Sequence, residues 1–299
     1  MAMRTINPAD VSPMQLQAVL QGAIGPRPIA FASTIDSQGL VNLSPFSFFN
    51  LFSSNPPVVI FSPARRVRDN TTKHSLQNVL EVPECTINIV SYAMVQQTSL
   101  ASTEYEKGVN EFVKAGFKML PSELVKPPRV VESPVQLECK VLEVKALGEN
   151  GGAGNLVICE VLRIHVAERI FDDNGRIDPY KIDQVARLGG DWYSRAREGL
   201  FEVEKPITTR GIGIDALPES VRNSVVLSGN DLGRLGNLEK LPDVEECKSA
   251  MNQPEIAEAR LRFALDTESL EFHFHEIAKN WIGDNRVGEA LALLFANSR

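Results

Sequence analysis

Two long β-type runs joined by a glycine-rich turn restrict this chain more than any other feature. Val135 to Val144 places Val135, Leu137, Cys139 and Val141 on one face, with Leu142 and Val144 on the other. Asn155 to Ile170 places Leu156, Ile158, Leu162, Ile164, Val166 and Ile170 on one face. A period of two is the mark of a strand. The segment Gly148-Glu-Asn-Gly-Gly-Ala-Gly154 between them reads as a hairpin connection. A glycine loop that cradles phosphate must open a helix. No helical pattern follows Gly154, so the P-loop and dinucleotide readings fail there.

The rest of the N-terminal two thirds supports the same class. Pro28 to Ile35 reads as a strand, and Asp36-Ser-Gln-Gly39 as a turn into Leu40 to Leu43. Val58 to Phe61, after Asn55-Pro-Pro57, is a short buried run, and Glu84 to Val90 alternates. Ser12-Pro13 caps a short helix carrying Leu16, Val19 and Leu20. Thr71 to Val82 has Leu76, Val79 and Leu80 at helical spacing behind the cap residues Asn70 and Thr71. Tyr92 to Leu100 and Asn110 to Ala115 are shorter helical candidates. Six or so strands with short helices predict a mainly β, α+β barrel and not a doubly wound parallel sheet. Beyond residue 200 the pattern changes. Pro206 to Asn237 is polar and glycine-containing, and Pro254 to Asn297 is mostly helical. The expected organisation is a barrel domain over 1–200 and a helical extension over 201–299, with a boundary near Phe201.

Composition narrows the function. A net charge of -7 and a pI near 5.3 argue against a nucleic-acid or anionic-membrane surface. No apolar run approaches the roughly 20 residues of a membrane span, and Met1 to Asn7 lacks the pattern of a signal peptide. Cys85, Cys139, Cys159 and Cys247 are scattered without a CxxC pair. They read as buried free thiols in a reducing, cytoplasmic setting, with no zinc or other metal site.

Two segments carry possible chemistry. Arg65, Arg66, Arg68 and Lys73 against Asp69 give a local excess of +3 (four minus one) in an acidic chain. They precede a helix start, where free amides favour an anion such as a phosphomonoester. The plainer alternative is a solvated loop whose arginines pair with surface acids. Upstream, Asn42-Leu-Ser-Pro-Phe-Ser-Phe-Phe-Asn50 mixes hydroxyls, amides and phenyl rings in what reads as a loop. It suits the polar edge and flat face of a heterocycle, or else Phe46, Phe48 and Phe49 plug a core.

The order of these pieces resembles the flavin reductase-like, FMN-binding split-barrel family, which includes reductase components of two-component monooxygenases. The resemblance rests on Pro26-Arg-Pro-Ile-Ala30, Asn42 to Phe48, Asn55-Pro-Pro57 with its strand to Ser62, and Lys73 to Asn78. It continues through Cys85-Thr-Ile-Asn-Ile-Val90, Glu160-Val-Leu-Arg-Ile-His165 and Arg187-Leu-Gly-Gly-Asp-Trp-Tyr193, covering roughly residues 20 to 198. It implies a homodimer binding FMN, or FAD, and accepting a hydride at the flavin N5 from NADH or NADPH, with a monooxygenase as one class of partner. By resemblance, Arg27, Asn42, Ser44, Pro45, Ser47, Phe48 and Asn50 line the ring and ribityl chain. Ser62, Lys73 and Ser75 hold the phosphate, and Arg187 and Tyr193 lie near the flavin. Lys73-His74-Ser75 departs from the family's Lys-Asp-Thr, and Asn155 and Cys159 stand where many members have His and Gly. His165 is a candidate substitute for that histidine, whereas His273 and His275 read as structural. A pyridoxamine-phosphate-oxidase-like flavoenzyme and a non-catalytic FMN-binding or regulatory protein are the alternatives.

Overall fold

Alternating and apolar runs zip together in antiparallel register because each strand's backbone groups need partners once its apolar face is buried. The computed structural model describes residues 2–203 and 205–297. Its strands are β1 (Ala30–Ile35), β2 (Val41–Phe46), β3 (Phe49–Ser54), β4 (Pro57–Phe61), β5 (Glu84–Ile89), β6 (Met119–Leu120), β7 (Arg129–Val130), β8 (Val135–Ala146), β9 (Asn155–Val166), β10 (Val185–Arg187) and β11 (Tyr193–Arg195). Seven of them form one sheet in the order β2-β1-β5-β8-β9-β4-β3, with antiparallel neighbours throughout. The chain divides into two compact units, Met1–Phe201 and Glu202–Arg299. Residues 1, 204, 298 and 299, inside the expected ranges 1–200 and 201–299, lie outside the described residues.

The strand order forces the sheet to curl. β2 and β3 lie at opposite edges, yet only Ser47 and Phe48 separate them in sequence. Three residue steps, Phe46 to Phe49, span at most about 11 Å. Both edges must therefore come together at that end, which closes the sheet into a barrel. Phe46 of β2 meets Phe61 of β4 across the closure, ring centroids 5.3 Å apart. The interior is filled by Ala32, Val59, Phe61, Ile87, Val157 and neighbours. β1 is buried on both faces: Ala30 and Ala32 face the barrel, while Phe31 faces a second cluster with Leu43, Phe112 and Phe117. That double burial explains its continuous rather than alternating pattern.

Short helices dress the barrel: α1 (Pro13–Ala23), α2 (His74–Glu81), α3 (Val95–Leu100), α4 (Glu111–Ala115) and α5 (Pro179–Ile182). Ser12 and Gln15 form a capping box at α1, and Asn110 caps α4. The buried Glu111 carboxylate accepts the Leu43 N–H at 2.9 Å, so α4 satisfies the edge of β2. Burial pushes the pKa of that carboxyl up.

Several sequence expectations change. Most of the apolar face assigned to the last long strand is its outer face: Val157, Cys159 and Val161 point inward, whereas Leu162 and Ile164 are 42% and 58% exposed. Val166 and Ile170 alone of that set pack on the core. Both faces of this run are apolar, so alternation alone does not choose between them. The pairing also slips at two bulges, one leaving Leu162 unmatched and one Leu142, and the second returns Val144 to the core. β9 stops at Val166, and Ile170 is buried in a 3-10 turn. Asn42 to Asn50 is not a loop but two strands around a two-residue connection. α2 begins at His74 with Lys73 as its N-cap, because the Thr71 and Thr72 carbonyls accept from Arg66 and not from helical amides. All four cysteines are buried free thiols.

The second unit is helical: α6 (Glu219–Arg222), α7 (Gly229–Gly236), α8 (Val244–Met251), α9 (Pro254–Arg262), α10 (Thr267–Gly283) and α11 (Val287–Asn297). α7 and α8 open on capping boxes, Ser228 with Asp231 and Asp243 with Glu246. α11 buries Ala290 to Leu294 without a break, as a central helix must. It packs with Leu235, Ile256, Phe274 and Trp281.

His275 gives this unit a pH dependence. Its Nδ1 lies 2.8 Å from Ser224 Oγ, which already accepts the Val226 and Leu227 N–H groups at 3.1 Å each. The Ser224 hydrogen therefore points at Nδ1, which requires a neutral imidazole. Burial lowers the His275 pKa from 6.5. The unfolded chain takes up that proton first as pH falls, so the stability is complete above 6.5 and declines through the folded pKa below it. Thermal melts of the chain from pH 7.5 to about 5.5 should show the helical transition falling on acidification. The slope should flatten in His275→Asn; equal slopes would contradict the assignment.

Candidate functional site

Between the end of β4 and the start of α2 runs the cationic segment, residues 62–73, and its shape is set mostly by backbone contacts. Arg65 N–H donates to the Ala153 carbonyl at 2.8 Å, and Gly152 N–H returns a bond to the Arg65 carbonyl at 2.9 Å. Asn155 Nδ2 holds the Pro63 carbonyl, and Asn70 Nδ2 holds that of Glu149. The β8–β9 hairpin is thus a clamp, and its glycines are there for clearance. A Cβ on Gly151 would lie 2.9 Å from the Arg66 carbonyl oxygen, and one on Gly154 would lie 2.7 Å from Ser62 Oγ.

Within the segment the cations divide by role. Arg65 donates to the Asn70 side chain at 2.7 Å and its carbonyl at 2.8 Å. Arg66 donates to Thr71 Oγ1 and the Thr72 carbonyl. Asp69 accepts the Thr71 hydroxyl and N–H, which holds its pKa down to about 2. Three remaining cationic donors converge on one carboxylate: Arg66 Nε and Arg68 NH2 reach Glu104 at 2.8 Å each, and Lys73 Nζ at 3.4 Å. Hydrogen bonds from Arg66 and Arg68 hold Glu104 at about 2. Burial, then the charges of Arg66, Lys107 and Lys73, push His74 down.

The polar edge lies alongside. Asn42 Nδ2 donates to Ser75 Oγ at 2.8 Å, both residues buried, which ties β2 to the first turn of α2. Ser44 and Pro45 follow in β2, opposite Ala32 and Phe31. Ser47 and Phe48 form the connection, and Ser62 N–H donates to the Phe48 carbonyl at 2.8 Å. Asn50 sits exposed in β3 opposite Ile60, its Oδ1 accepting the Leu51 N–H. Of the three phenylalanines, Phe46 is core, Phe49 packs against it, and Phe48 alone is left half-exposed.

Arg27, Arg187 and Tyr193 form a second group. Arg27 and Arg187 pair backbone to backbone at 2.9 and 2.8 Å. The two terminal nitrogens of the Arg27 guanidinium donate to the carbonyls of Gln21, Ile24 and Leu188, while its buried Nε has no partner among the described residues. Burial, and then the Arg187 charge, lower its pKa. Arg187 stacks 4.6 Å over the Tyr193 ring and donates to the Trp192 carbonyl. Both line a cleft of about 380 Å³ with Tyr92, Gln96, Ser99 and Arg195. His165 is committed elsewhere: its ring meets the buried Glu138 carboxylate at 2.7 Å, which also accepts the Glu123 and Leu124 N–H groups. Among the described residues, no group of three His, Cys, Asp or Glu could hold a metal.

The donor set suits a phosphate monoester. α2 has no side-chain cap; Leu76 N–H bonds the Lys73 carbonyl at 3.0 Å, which leaves the His74 and Ser75 amides without a partner among the described residues. Ser62 is a largely buried residue whose hydroxyl makes no hydrogen bond to the described residues. Among the described residues Lys73 Nζ has only Glu104 as a partner. These groups could hold the oxygens of a phosphate monoester, and the polar Ser44 to Asn50 edge adjoins them. Sequence reasoning missed Glu104, which lies more than thirty residues from the cations it meets, and the clamping role of Gly151 and Gly154.

Residues 24–180 match the model of the flavin reductase like domain. A curated relative from Halalkalibacterium halodurans, itself uncharacterized, is 35% identical over 203 residues, covering 67% of this chain and 96% of its own. The structure of nitrilotriacetate monooxygenase component B from Bacillus cereus aligns with a TM-score of 0.63 at 29% identity, over 69% of this chain and 99% of that one. A protein assigned as a flavin reductase with a split-barrel domain, from Shewanella frigidimarina, aligns at 0.56 and 25% identity, over 67% and 96%.

The clamp makes a direct prediction. Gly151→Ala should cost about 1–3 kcal/mol, since backbone on both sides must shift. Gly22→Ala, whose added carbon meets nothing within 4 Å, should cost nothing. Urea denaturation compares them; equal stability would show that the hairpin does not bear on the segment.

Proposed function

The chain belongs to the flavin reductase-like family, and on that premise we propose that it is an FMN-binding oxidoreductase taking its electrons from NADH or NADPH. The observation that carries this reading is the direct junction between an anion-binding donor set and a polar strand edge. Asn42 bonded to Ser75, and Phe48 bonded to Ser62, link the two. A bound flavin would supply the electron-accepting ring, so the protein needs little acid–base machinery of its own.

Its residues bind and orient. Lys73, Ser75 and Ser62 take the phosphate, with the free amides of the α2 start adding partial positive charge. Ser44, Ser47 and Asn50 offer hydrogen bonds to the ring edge, and Phe48 covers a ring face. Asn42 acts through Ser75, fixing its hydroxyl. Arg27 holds α1 to the segment bearing Arg187, so its part is to position and not to touch the ring. The cleft with Arg187 and Tyr193 is the place for the nicotinamide donor: cations and aromatic faces suit a flat, anionic dinucleotide.

A homodimer and delivery of electrons to a partner oxygenase are the finer parts of this reading. Leu51 and Phe52 of the edge strand β3 are 61% and 63% exposed, which supports burial against a second copy. The name of the Bacillus cereus neighbour supports an oxygenase partner. The four buried thiols suit a cytoplasmic setting, and among the described residues no helix is long and apolar enough to cross a membrane.

FMN and riboflavin titrations followed by flavin fluorescence test the site. The double variant Lys73→Ala, Ser75→Ala should weaken FMN by about ten- to a hundredfold, the size of one or two charge-assisted bonds, and riboflavin by less than about threefold. Equal losses would remove the phosphate assignment. With FMN bound under anaerobic conditions, NADH or NADPH should bleach the flavin absorbance; persistence of the oxidised spectrum with both would exclude the reductase reading.

A further inference from the structure

We infer that Glu104 is an internal counter-anion that competes with the phosphate of an incoming ligand for Lys73, Arg66 and Arg68. It thereby sets how strongly the site prefers a phosphorylated flavin to an uncharged one. The inference rests on the flavin-binding reading above and adds a residue from outside the cationic segment.

Glu104 could instead be a strut that shapes the segment, and the contacts separate the two roles. The segment is shaped without it: Arg65 is pinned to Asn70, Arg66 to Thr71 and Thr72, and Asp69 to Thr71. The β8–β9 hairpin supplies four further bonds. Glu104 takes only donors left over from that scaffold. Among the described residues Lys73 Nζ has no other partner, Arg68 has only its exposed neighbour Asp69, and Arg66 offers Glu104 its otherwise unused Nε. A carboxylate that collects spare cationic donors beside an uncapped helix start is standing where a ligand's anion would bind.

The competition is one a phosphate wins. Glu104 remains 39% exposed, so its pairs are screened and individually weak. A phosphomonoester carries about -1.5 to -2 charges and three acceptor oxygens against one charge and two oxygens. The pair with Lys73 is the longest of the three at 3.4 Å and is the first to exchange. A flavin without phosphate cannot displace Glu104 and gains nothing from the three cations it holds.

Glu104→Gln keeps the shape and removes the charge. It should tighten FMN by about three- to tenfold, in line with the loss of a screened ion pair, and leave riboflavin within about twofold. Unchanged or weaker FMN binding, or an equal change for both flavins, overturns the inference while leaving flavin binding intact. If neither flavin binds the unmodified chain, the functional reading falls, and inorganic phosphate followed by 31P NMR still decides the role of Glu104. Tighter phosphate binding in the variant supports the competition; equal or weaker binding overturns it.

Discussion

The short span between Phe46 and Phe49 governs this molecule. Two intervening residues cannot reach across an open seven-stranded sheet, so the first and last strands in spatial order must meet. The Phe46–Phe61 contact then seals the join from inside. Once it is sealed, Phe48 lies on Ser62, which begins the cationic segment, and Asn42 lies on Ser75, in the first turn of α2. Barrel closure and assembly of the site are one event.

Positive charge in an acidic chain is kept local by backbone geometry more than by ion pairing. Exposed ion pairs contribute about 0–1 kcal/mol each and screen readily. The bonds from Ala153, Gly152 and the Asn155 side chain are less exposed to that loss, because they tie backbone to a clamped hairpin. Glycine at 151 and 154 is what lets the two backbones approach. The charges can then remain available, with only Glu104 and Asp69 held in their anionic forms among them.

Much of this was legible from residue order, and the exceptions have identifiable causes. Val135, Leu137, Cys139 and Val141 alternate cleanly and do face the core. Asn155 to Val166 is apolar on both sides and carries a bulge at Leu162, so period alone picks the wrong face. Ser, Asn and Pro between Asn42 and Asn50 look like turn residues, yet pairing with β1 and β4 draws them into strands. In Pro206 to Asn237 the glycines masked α7, although Ser228 and Asp231 spell its capping box. Lys73 and the arginines were visible as charge; Glu104 was not, because only folding brings it to them.

The central claim is that one mononucleotide bridges the strand join and the cationic helix start. A crystal structure of the full chain grown with FMN tests it most directly. The account predicts the phosphate against Lys73, Ser75 and Ser62, and the ring along Ser44 to Asn50. A flavin seated elsewhere, or a phosphate remote from the start of α2, would contradict it.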